Sequence, residues 1–90
     1  MGVEVEPLRL LGRRGCHLCD VMEATLLEVL PRYGLRHEKV DVDADPALQS
    51  AHGDCVPVLL QGERVLARVR LSRAGLEEIL GGRQGVSPAP

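Results

Sequence analysis

Residues 8–20 read LRLLGRRGCHLCD, and this stretch decides the fold of the chain. Residues 8–11 are apolar apart from Arg9, which predicts a short central strand covered on both faces. Residues 12–15 begin and end with glycine and predict a turn. From Leu18 onward, apolar residues recur at three- and four-residue steps, which is typical of a helix with one buried face. The sequence therefore places Cys16 and Cys19 where a helix begins after a buried strand.

The position of the two cysteines has a chemical consequence. A helix N-terminus carries unpaired N–H groups and about half a positive charge, so it favours a thiolate over a thiol. Two intervening residues put Cys19 one turn after Cys16 on the same side, within reach of a disulfide. We expect Cys16 to be the exposed thiol of low pKa and Cys19 to be the more buried one. Arg13 and Arg14 add positive charge to the turn, and a protonated His17 stabilises a neighbouring thiolate.

Length and composition narrow the classes of protein. The chain has 90 residues, enough for one domain with a single core, and Tyr33 is its one aromatic residue. The net charge is −2 with acids and bases interspersed, which argues against nucleic acid or an anionic membrane as a partner. No apolar run approaches the roughly 18 residues of a membrane span, and residues 1–7 are too short and acidic for a signal peptide. We expect a cytoplasmic monomer.

The first half of the remaining chain predicts a helix, a strand and a second helix. The first helix is expected to end near residue 30, because Pro31 removes a helical hydrogen bond. Residues 35–42 predict a strand with Val40 and Val42 facing inward. Asp45 followed by Pro46 is typical of a helix start, with Asp45 as the N-cap.

The second half predicts a hairpin and a last helix. Residues 56–60 form an apolar strand, Gln61-Gly62 is expected to be a tight turn, and residues 63–70 predict an edge strand protected by arginines. Val65, Ala67 and Val69 are expected to share one face of that strand. Ser72 is the predicted cap of the last helix, which Gly81-Gly82 is expected to end.

The order of elements is therefore βαβαββα, an α/β arrangement. A first βαβ unit requires parallel strands and a tight hairpin requires antiparallel ones. A four-stranded mixed sheet with helices on both faces satisfies both requirements. We expect one domain over residues 1–82 and a disordered tail over residues 83–90.

Three short motifs carry a family resemblance: GCHLCD at residues 15–20, VDVD at residues 40–43 and VPVL at residues 56–59. Over residues 8–80 the chain resembles a small glutaredoxin-like protein of the thioredoxin-fold superfamily. The resemblance implies that the Val56–Pro57 peptide bond is cis and faces the cysteine pair. It also implies that the backbone of Val56 pairs with a bound thiol substrate. Because of their positive charge beside the pair, we further expect Arg14 and His17 to contribute to substrate binding.

The activity implied by the resemblance is that of a thiol–disulfide oxidoreductase, a glutaredoxin- or thioredoxin-like disulfide reductase. Cys16 would attack the substrate disulfide and Cys19 would resolve the mixed disulfide. No cofactor is implied beyond the redox-active Cys16–Cys19 disulfide, and the partner is a disulfide-containing protein or a small thiol. Glutathione is a candidate. However, the chain lacks the aromatic residue that typical glutaredoxins have near the pair. Typical glutaredoxins also bind glutathione with a Gly-rich, Asp-containing turn, and at the corresponding residues 69–72 this chain reads VRLS.

Two alternatives to this activity remain open. Cys55 lies two residues before Pro57 and is a candidate third thiol, so Cys16, Cys19 and Cys55 with a nearby histidine could hold zinc or an iron–sulfur cluster. Structural zinc sites usually have two spaced ligand pairs and this chain has one, so we predict no resident metal. The second alternative is a redox-inactive thioredoxin-fold binding module. Cys55 itself is either coupled to the pair or a bystander in the loop.

The other polar residues are expected to have ordinary roles. Asp41, Asp43 and Asp45 resemble the start of a calcium loop, but Pro46 occupies the position at which that loop needs glycine. We expect these carboxylates at a strand end and a helix cap. His37 and His52 are expected at the surface.

Overall fold

The computed structural model describes residues 7–83. Its strands and helices follow the predicted order βαβαββα. They are β1 (Leu8–Gly12), α1 (His17–Val29), β2 (His37–Asp41), α2 (Pro46–His52), β3 (Val58–Gln61), β4 (Arg64–Arg68) and α3 (Arg73–Arg83). Short 3-10 helices at Leu30–Tyr33, Val42–Ala44 and Gly53–Cys55 follow α1, β2 and α2 in turn. The expected tail lies, from residue 84 onward, outside the described residues.

The four strands form one mixed sheet in the order β2-β1-β3-β4. β1 runs parallel to β2 and antiparallel to β3, and β4 pairs antiparallel with β3 at the edge. This arrangement confirms the sheet expected from the sequence. It also places β1 in the interior of the sheet, so the chain enters the Cys16 loop from a strand that has neighbours on both sides.

Helices cover both faces of the sheet. α1 and α3 cover one face, where their apolar residues pack against β1 and β3. That cluster consists of Leu8, Leu10, Met22, Leu26, Val29, Leu30, Leu59, Leu76 and Leu80. On the opposite face Leu48 of α2 packs against a smaller cluster of Leu11, Val58 and Leu60. The two central strands, β1 and β3, contribute side chains to both clusters, because successive residues of a strand point to opposite faces of the sheet. Each face is therefore apolar and is covered by a layer of helices.

The hairpin between β3 and β4 differs from the prediction by one residue. Gln61 pairs with Arg64, so the two turn residues are Gly62 and Glu63 rather than Gln61 and Gly62. Gly62 has φ 61°, a left-handed conformation that glycine adopts without steric cost. The glycine therefore occupies the first turn position, where the sequence analysis had placed Gln61.

A β-bulge changes the alternation expected for β4. Leu59 pairs with Ala67 and Leu60 pairs with Val65, which leaves Leu66 between the two pairs. Leu66 and Ala67 both pack toward the α1 and α3 side, whereas Val65 packs toward the α2 side. The expectation that Val65 and Ala67 share one face was therefore wrong, because a bulge inserts one residue and shifts the alternation beyond it.

The predicted N-caps of α2 and α3 are confirmed, but α3 ends later than predicted. A carboxylate oxygen of Asp45 accepts hydrogen bonds from the N–H groups of Ala47 and Leu48 at 3.0 and 3.2 Å. Ser72 Oγ accepts from the Gly75 N–H at 2.9 Å and caps α3. α3 continues past Gly81 to Arg83, since Gly81 does not adopt the left-handed conformation that ends helices. Within residues 7–83 no helix is both long enough and apolar enough to cross a membrane.

Candidate functional site

Cys16 and Cys19 form a disulfide at the start of α1. Cys16 is the N-cap of the helix, and the Cα atoms of the two cysteines are 5.2 Å apart. The Cys19 N–H donates a hydrogen bond to Cys16 Sγ at 3.0 Å. Cys16 is half-buried and Cys19 is only 7% exposed. Cys16 is therefore the more exposed residue of the pair, as its position in the sequence predicted.

Two glycines allow the loop to bring β1 close to Cys19. A Cβ atom on Gly12, the last residue of β1, would lie 3.0 Å from Cys19 Sγ and 3.3 Å from Cys19 Cβ. Only a residue without a side chain fits this contact without displacing the sulfur. Gly15 has φ 70°, so it supplies the left-handed turn that leads into Cys16.

Arg13 has a different role from the one expected. Its Nε and Nη2 atoms donate to the two carboxylate oxygens of Asp43 at 3.2 and 2.9 Å, and Nη1 donates to the carbonyl oxygen of Gly53 at 3.3 Å. The hydrogen bond from Arg13 lowers the pKa of Asp43, and the same bond raises the pKa of Arg13. The positive charge of Arg13 is thus paired with Asp43, although the sequence analysis had expected it to add to the charge of the turn.

Arg14 and His17 remain exposed at the site. Within the described part of the chain neither side chain makes a hydrogen bond or an ion pair. His17 is the first residue of α1, directly after Cys16, and Arg14 lies in the loop before it. Both side chains are available to a ligand that approaches Cys16.

The loop before β3 lies beside the cysteine loop. Val58 pairs with Leu11, so the start of β3 is next to the end of β1. The Val56–Pro57 peptide bond is cis, Pro57 is buried, and Val56 is half-buried with an extended backbone (φ −65°, ψ 148°). The sheet therefore brings Val56 and Pro57 to the same end of the molecule as Cys16.

Val69 also lies at this end of the molecule, in a turn that the sequence did not predict. It has φ 67°, an uncommon conformation for a β-branched residue. Its N–H donates to the Pro57 carbonyl oxygen at 2.7 Å, and the Arg70 N–H donates to the Arg68 carbonyl oxygen at 2.6 Å. This tight turn joins the end of β4 to Pro57. A valine between two arginines carries no turn signal, so a strand was the natural prediction.

Cys55 is a free thiol that packs on the α2 side of the sheet. It is half-buried in the 3-10 helix Gly53–Cys55 and packs against the cluster of Leu11, Val58 and Leu60. Among residues 7–83, no three side chains of His, Cys, Asp or Glu are arranged to hold a metal ion. Cys55 contributes to the apolar packing between β1, β3 and α2.

A cavity of about 290 Å³ lies beside Cys19 on the β2 side of the sheet centre. Its walls come from β1, α1 and β2 and the loop between β1 and α1. The lining residues are Leu10, Gly12, Arg13, Arg14, Cys19, Asp20, Glu23, Lys39, Val40 and Asp41. Since β2 and β3 flank β1 on opposite sides, this cavity is separate from the surface formed by Val56 and Pro57.

Glu23 of α1 forms a polar cluster with two residues of β2. Its carboxylate contacts His37 Nε2 at 3.0 Å and Lys39 Nζ at 3.2 Å. The hydrogen bond with His37 lowers the pKa of Glu23. The His37 side chain is only 7% exposed, so its expected surface location was wrong. The alternation of His37 and Lys39 along β2, opposite an acid on the covering helix, was the signal that could have revealed this cluster.

The fold and the disulfide at the helix N-terminus define a thioredoxin-fold protein with a paired-cysteine site. Residues 7–81 match the family model described as Glutaredoxin-like domain (DUF836). The chain therefore belongs to this glutaredoxin-like family. No curated protein shows significant sequence similarity to it.

Solved structures share the fold of this chain. The solution structure of protein Ne2328 from Nitrosomonas europaea is 28% identical, with a TM-score of 0.71 over 88% of this chain and 95% of that one. The solution structure of protein XcR50 from X. campestris is 30% identical, with a TM-score of 0.68 over 93% and 96% of the two chains. Thioredoxin 1 from Thermosipho africanus TCF52B is 16% identical, with a TM-score of 0.57 over 87% and 98%, and shares the fold.

Proposed function

We propose that this protein is a thiol–disulfide oxidoreductase that uses Cys16 and Cys19 as its redox pair. The observation that carries the proposal is the arrangement of the two sulfurs at one helix N-terminus. Cys16 caps α1 and is accessible, whereas Cys19 is buried and bonded to Cys16. The family membership supports a redox role for a pair with this spacing.

The proposed reaction proceeds in two exchange steps. In the reduced protein the Cys16 thiolate attacks one sulfur of a substrate disulfide, forming a Cys16–substrate disulfide and expelling the other substrate sulfur as a thiolate. The Cys19 thiol then loses its proton to solvent and attacks Cys16 Sγ, which expels the second substrate thiolate and forms the Cys16–Cys19 disulfide. Two electrons pass from the pair to the substrate. An external thiol or dithiol reduces the pair again.

The substrate that we propose is a disulfide-containing protein or a small disulfide. The half-buried, extended backbone at Val56 supports pairing with an extended substrate segment, in the manner of a strand added to a sheet. The exposed Arg14 and His17 support recognition of a negatively charged group beside Cys16. Glutathione is a candidate for the thiol that reduces the pair again.

The test is reduction of insulin and of a small aromatic disulfide by the reduced protein, with dithiothreitol or glutathione as the regenerating thiol. Wild type is expected to turn over both disulfides. Cys16→Ser is expected to lose turnover completely, Cys19→Ser to lose dithiol turnover of insulin, and Cys55→Ser to keep both activities. Wild-type protein that reduces neither disulfide would refute the proposal and favour the redox-inactive binding module.

A further inference from the structure

Arg13 links three segments of the chain around the candidate site. It lies in the loop between β1 and α1, three residues before Cys16, and its guanidinium contacts both oxygens of Asp43 and the carbonyl oxygen of Gly53. Asp43 lies in the 3-10 helix that follows β2, and Gly53 begins the 3-10 helix that leads to Val56. We propose that Arg13 is a positioning residue that holds the Cys16 loop at a fixed distance from the loop carrying Val56 and Pro57. This inference rests on the proposed function.

The partner of Arg13 is itself held in place. Gln49 of α2 donates to the Asp43 carboxylate at 3.1 Å, and the Asp43 N–H donates to the Asp41 carboxylate at 2.9 Å. A bidentate pair between a guanidinium and a carboxylate fixes direction as well as distance. Arg13 therefore does not pair with a freely moving side chain, and its position is defined by β2 and α2.

The contact with Gly53 connects this network to the substrate surface. Gly53 is buried, and a Cβ atom at this position would lie 3.3 Å from Gln49 Cγ and 3.7 Å from Arg13 Nη2. The segment thus packs closely against both residues of the network. Only two residues, Asp54 and Cys55, separate Gly53 from Val56, so a shift of Gly53 moves the backbone that the proposed substrate pairs with.

The electrostatics distinguish Arg13 from Arg14. Because Arg13 is neutralised by Asp43, it offers little net charge to a ligand, whereas Arg14 has no partner within residues 7–83. If Arg13 positions the loop, substitution of Asp43 should lower the activity as much as substitution of Arg13. If Arg13 instead binds an anionic substrate directly, substitution of Asp43 should leave the activity unchanged or raise it, because the Arg13 cation would then be free.

The test compares Arg13→Gln, Asp43→Asn, the double variant and Arg13→Lys in insulin reduction, with Arg32→Gln as the matched control. Arg32 forms a similar exposed ion pair with Glu77, at 3.0 Å, on the helices away from this network. Each protein is assayed well below its unfolding temperature. Cys16 reactivity is measured separately by the rate of iodoacetamide alkylation, and loop order by hydrogen exchange of residues 53–56.

We expect Arg13→Gln and Asp43→Asn each to lower kcat/KM for insulin about three- to tenfold, with the double variant no worse than either. Arg13→Lys is expected to recover part of the loss. Alkylation of Cys16 is expected to change less than about twofold, because the exposed pair is screened by solvent. Hydrogen exchange of residues 53–56 is expected to become faster in both single variants, and Arg32→Gln to behave as wild type.

Three results would overturn the positioning role. Asp43→Asn with unchanged or higher activity, beside an impaired Arg13→Gln, would mean that Arg13 contacts the substrate. Unchanged exchange of residues 53–56 in both variants would mean that the network does not order the loop. Equal losses in Arg32→Gln would mean a general effect on stability. The exchange measurement needs no turnover, so it separates failure of this inference from failure of the oxidoreductase proposal.

Discussion

The Cys19 N–H donates a hydrogen bond to Cys16 Sγ at 3.0 Å, so the two residues of the pair are joined through the backbone as well as through their sulfurs. Cys16 thereby occupies the N-cap position, where an acceptor normally satisfies an unpaired N–H of the first turn. In the reduced protein a Cys16 thiolate would be the stronger acceptor of this bond. We therefore expect Cys16 to be the attacking sulfur of the reduced pair.

The first prediction concerns the reactivity of the two thiols. In the reduced protein, iodoacetamide at mildly acidic pH is expected to label Cys16 before Cys19, because Cys16 is accessible and stabilised as a thiolate by the helix N-terminus. Mass spectrometry of peptides after a short exposure measures the order of labelling. Cys55→Ala serves as background to exclude the third thiol. Faster labelling of Cys19 would reverse the roles assigned to the pair.

The second prediction concerns the contact between Gly12 and Cys19. Gly12→Ala places a Cβ atom 3.0 Å from Cys19 Sγ, so the strand or the helix must move. We expect a loss of about 1–3 kcal/mol in the free energy of unfolding, as is usual for overpacking. Urea unfolding of the oxidised protein measures this loss.

Gly81→Ala is the matched control for that substitution. Gly81 lies within α3, and among residues 7–83 a Cβ atom at this position would meet nothing within 4 Å outside the surrounding helix backbone. The same change is expected to stabilise the protein by up to about 1 kcal/mol, because alanine favours the helix. Equal effects of the two substitutions would show that the close approach at Gly12 does not affect the free energy of unfolding.

The third prediction follows from the lowered pKa of Glu23. Its folded-state pKa lies below its ordinary value of 4.5, because His37 is hydrogen-bonded to the carboxylate. Ionised Glu23 therefore stabilises the fold above that pH, and this stabilisation is lost as the pH falls through the folded-state pKa. We expect Glu23→Gln to lower the free energy of unfolding at neutral pH by about 1 kcal/mol.

Acidification separates this effect from a general loss of packing. The difference between wild type and Glu23→Gln is expected to shrink as the pH falls below 4.5. Glu28→Gln is the control. Glu28 lies on α1 like Glu23, but it forms an exposed ion pair with Arg73 of α3, and such pairs contribute about 0–1 kcal/mol. Urea midpoints across the acidic range provide the measurement. A difference that stays constant with pH would contradict the assignment.

The fourth prediction concerns Cys55. Its side chain packs against Leu11, Val58 and Leu60, so we expect Cys55→Ala to reduce stability by about 1 kcal/mol through lost apolar contact. The redox potential of the Cys16–Cys19 pair, titrated against a thiol–disulfide buffer, is expected to stay unchanged. Zinc and iron content of both proteins is measured on the same samples. A shifted potential, or bound metal that disappears in the variant, would show that Cys55 is coupled to the pair.

The features that sequence predicted well are those fixed by local pattern. The apolar run of residues 8–11, the helix spacing after Cys16 and the cap at Asp45 each produced the element expected of them. The mixed sheet followed because a βαβ unit and a tight hairpin permit few arrangements. Cys16 and Cys19 were found because their spacing along a helix determines their separation.

The features that sequence missed depend on partners distant in the chain. Arg13 contacts Asp43 and Gly53, which lie 30 and 40 positions further along the chain. Its guanidinium is therefore paired, whereas the sequence predicted a free cation. The His37 side chain is shielded from solvent because Glu23 on α1 lies opposite it. The bulge at Leu66 and the left-handed Val69 arise from the pairing of β4 with β3 and Pro57, which no local pattern specifies.

The central claim is that Cys16 is the attacking sulfur of a disulfide exchange, and trapping of the mixed disulfide tests it most directly. Cys19→Ser removes the resolving thiol, so reduced Cys19→Ser mixed with an excess of insulin should accumulate a covalent adduct. We predict that peptide mass spectrometry finds this adduct on Cys16, that dithiothreitol releases it, and that Cys16→Ser forms none. An adduct on Cys55, or none on Cys16 under conditions in which wild type reduces insulin, would contradict the account.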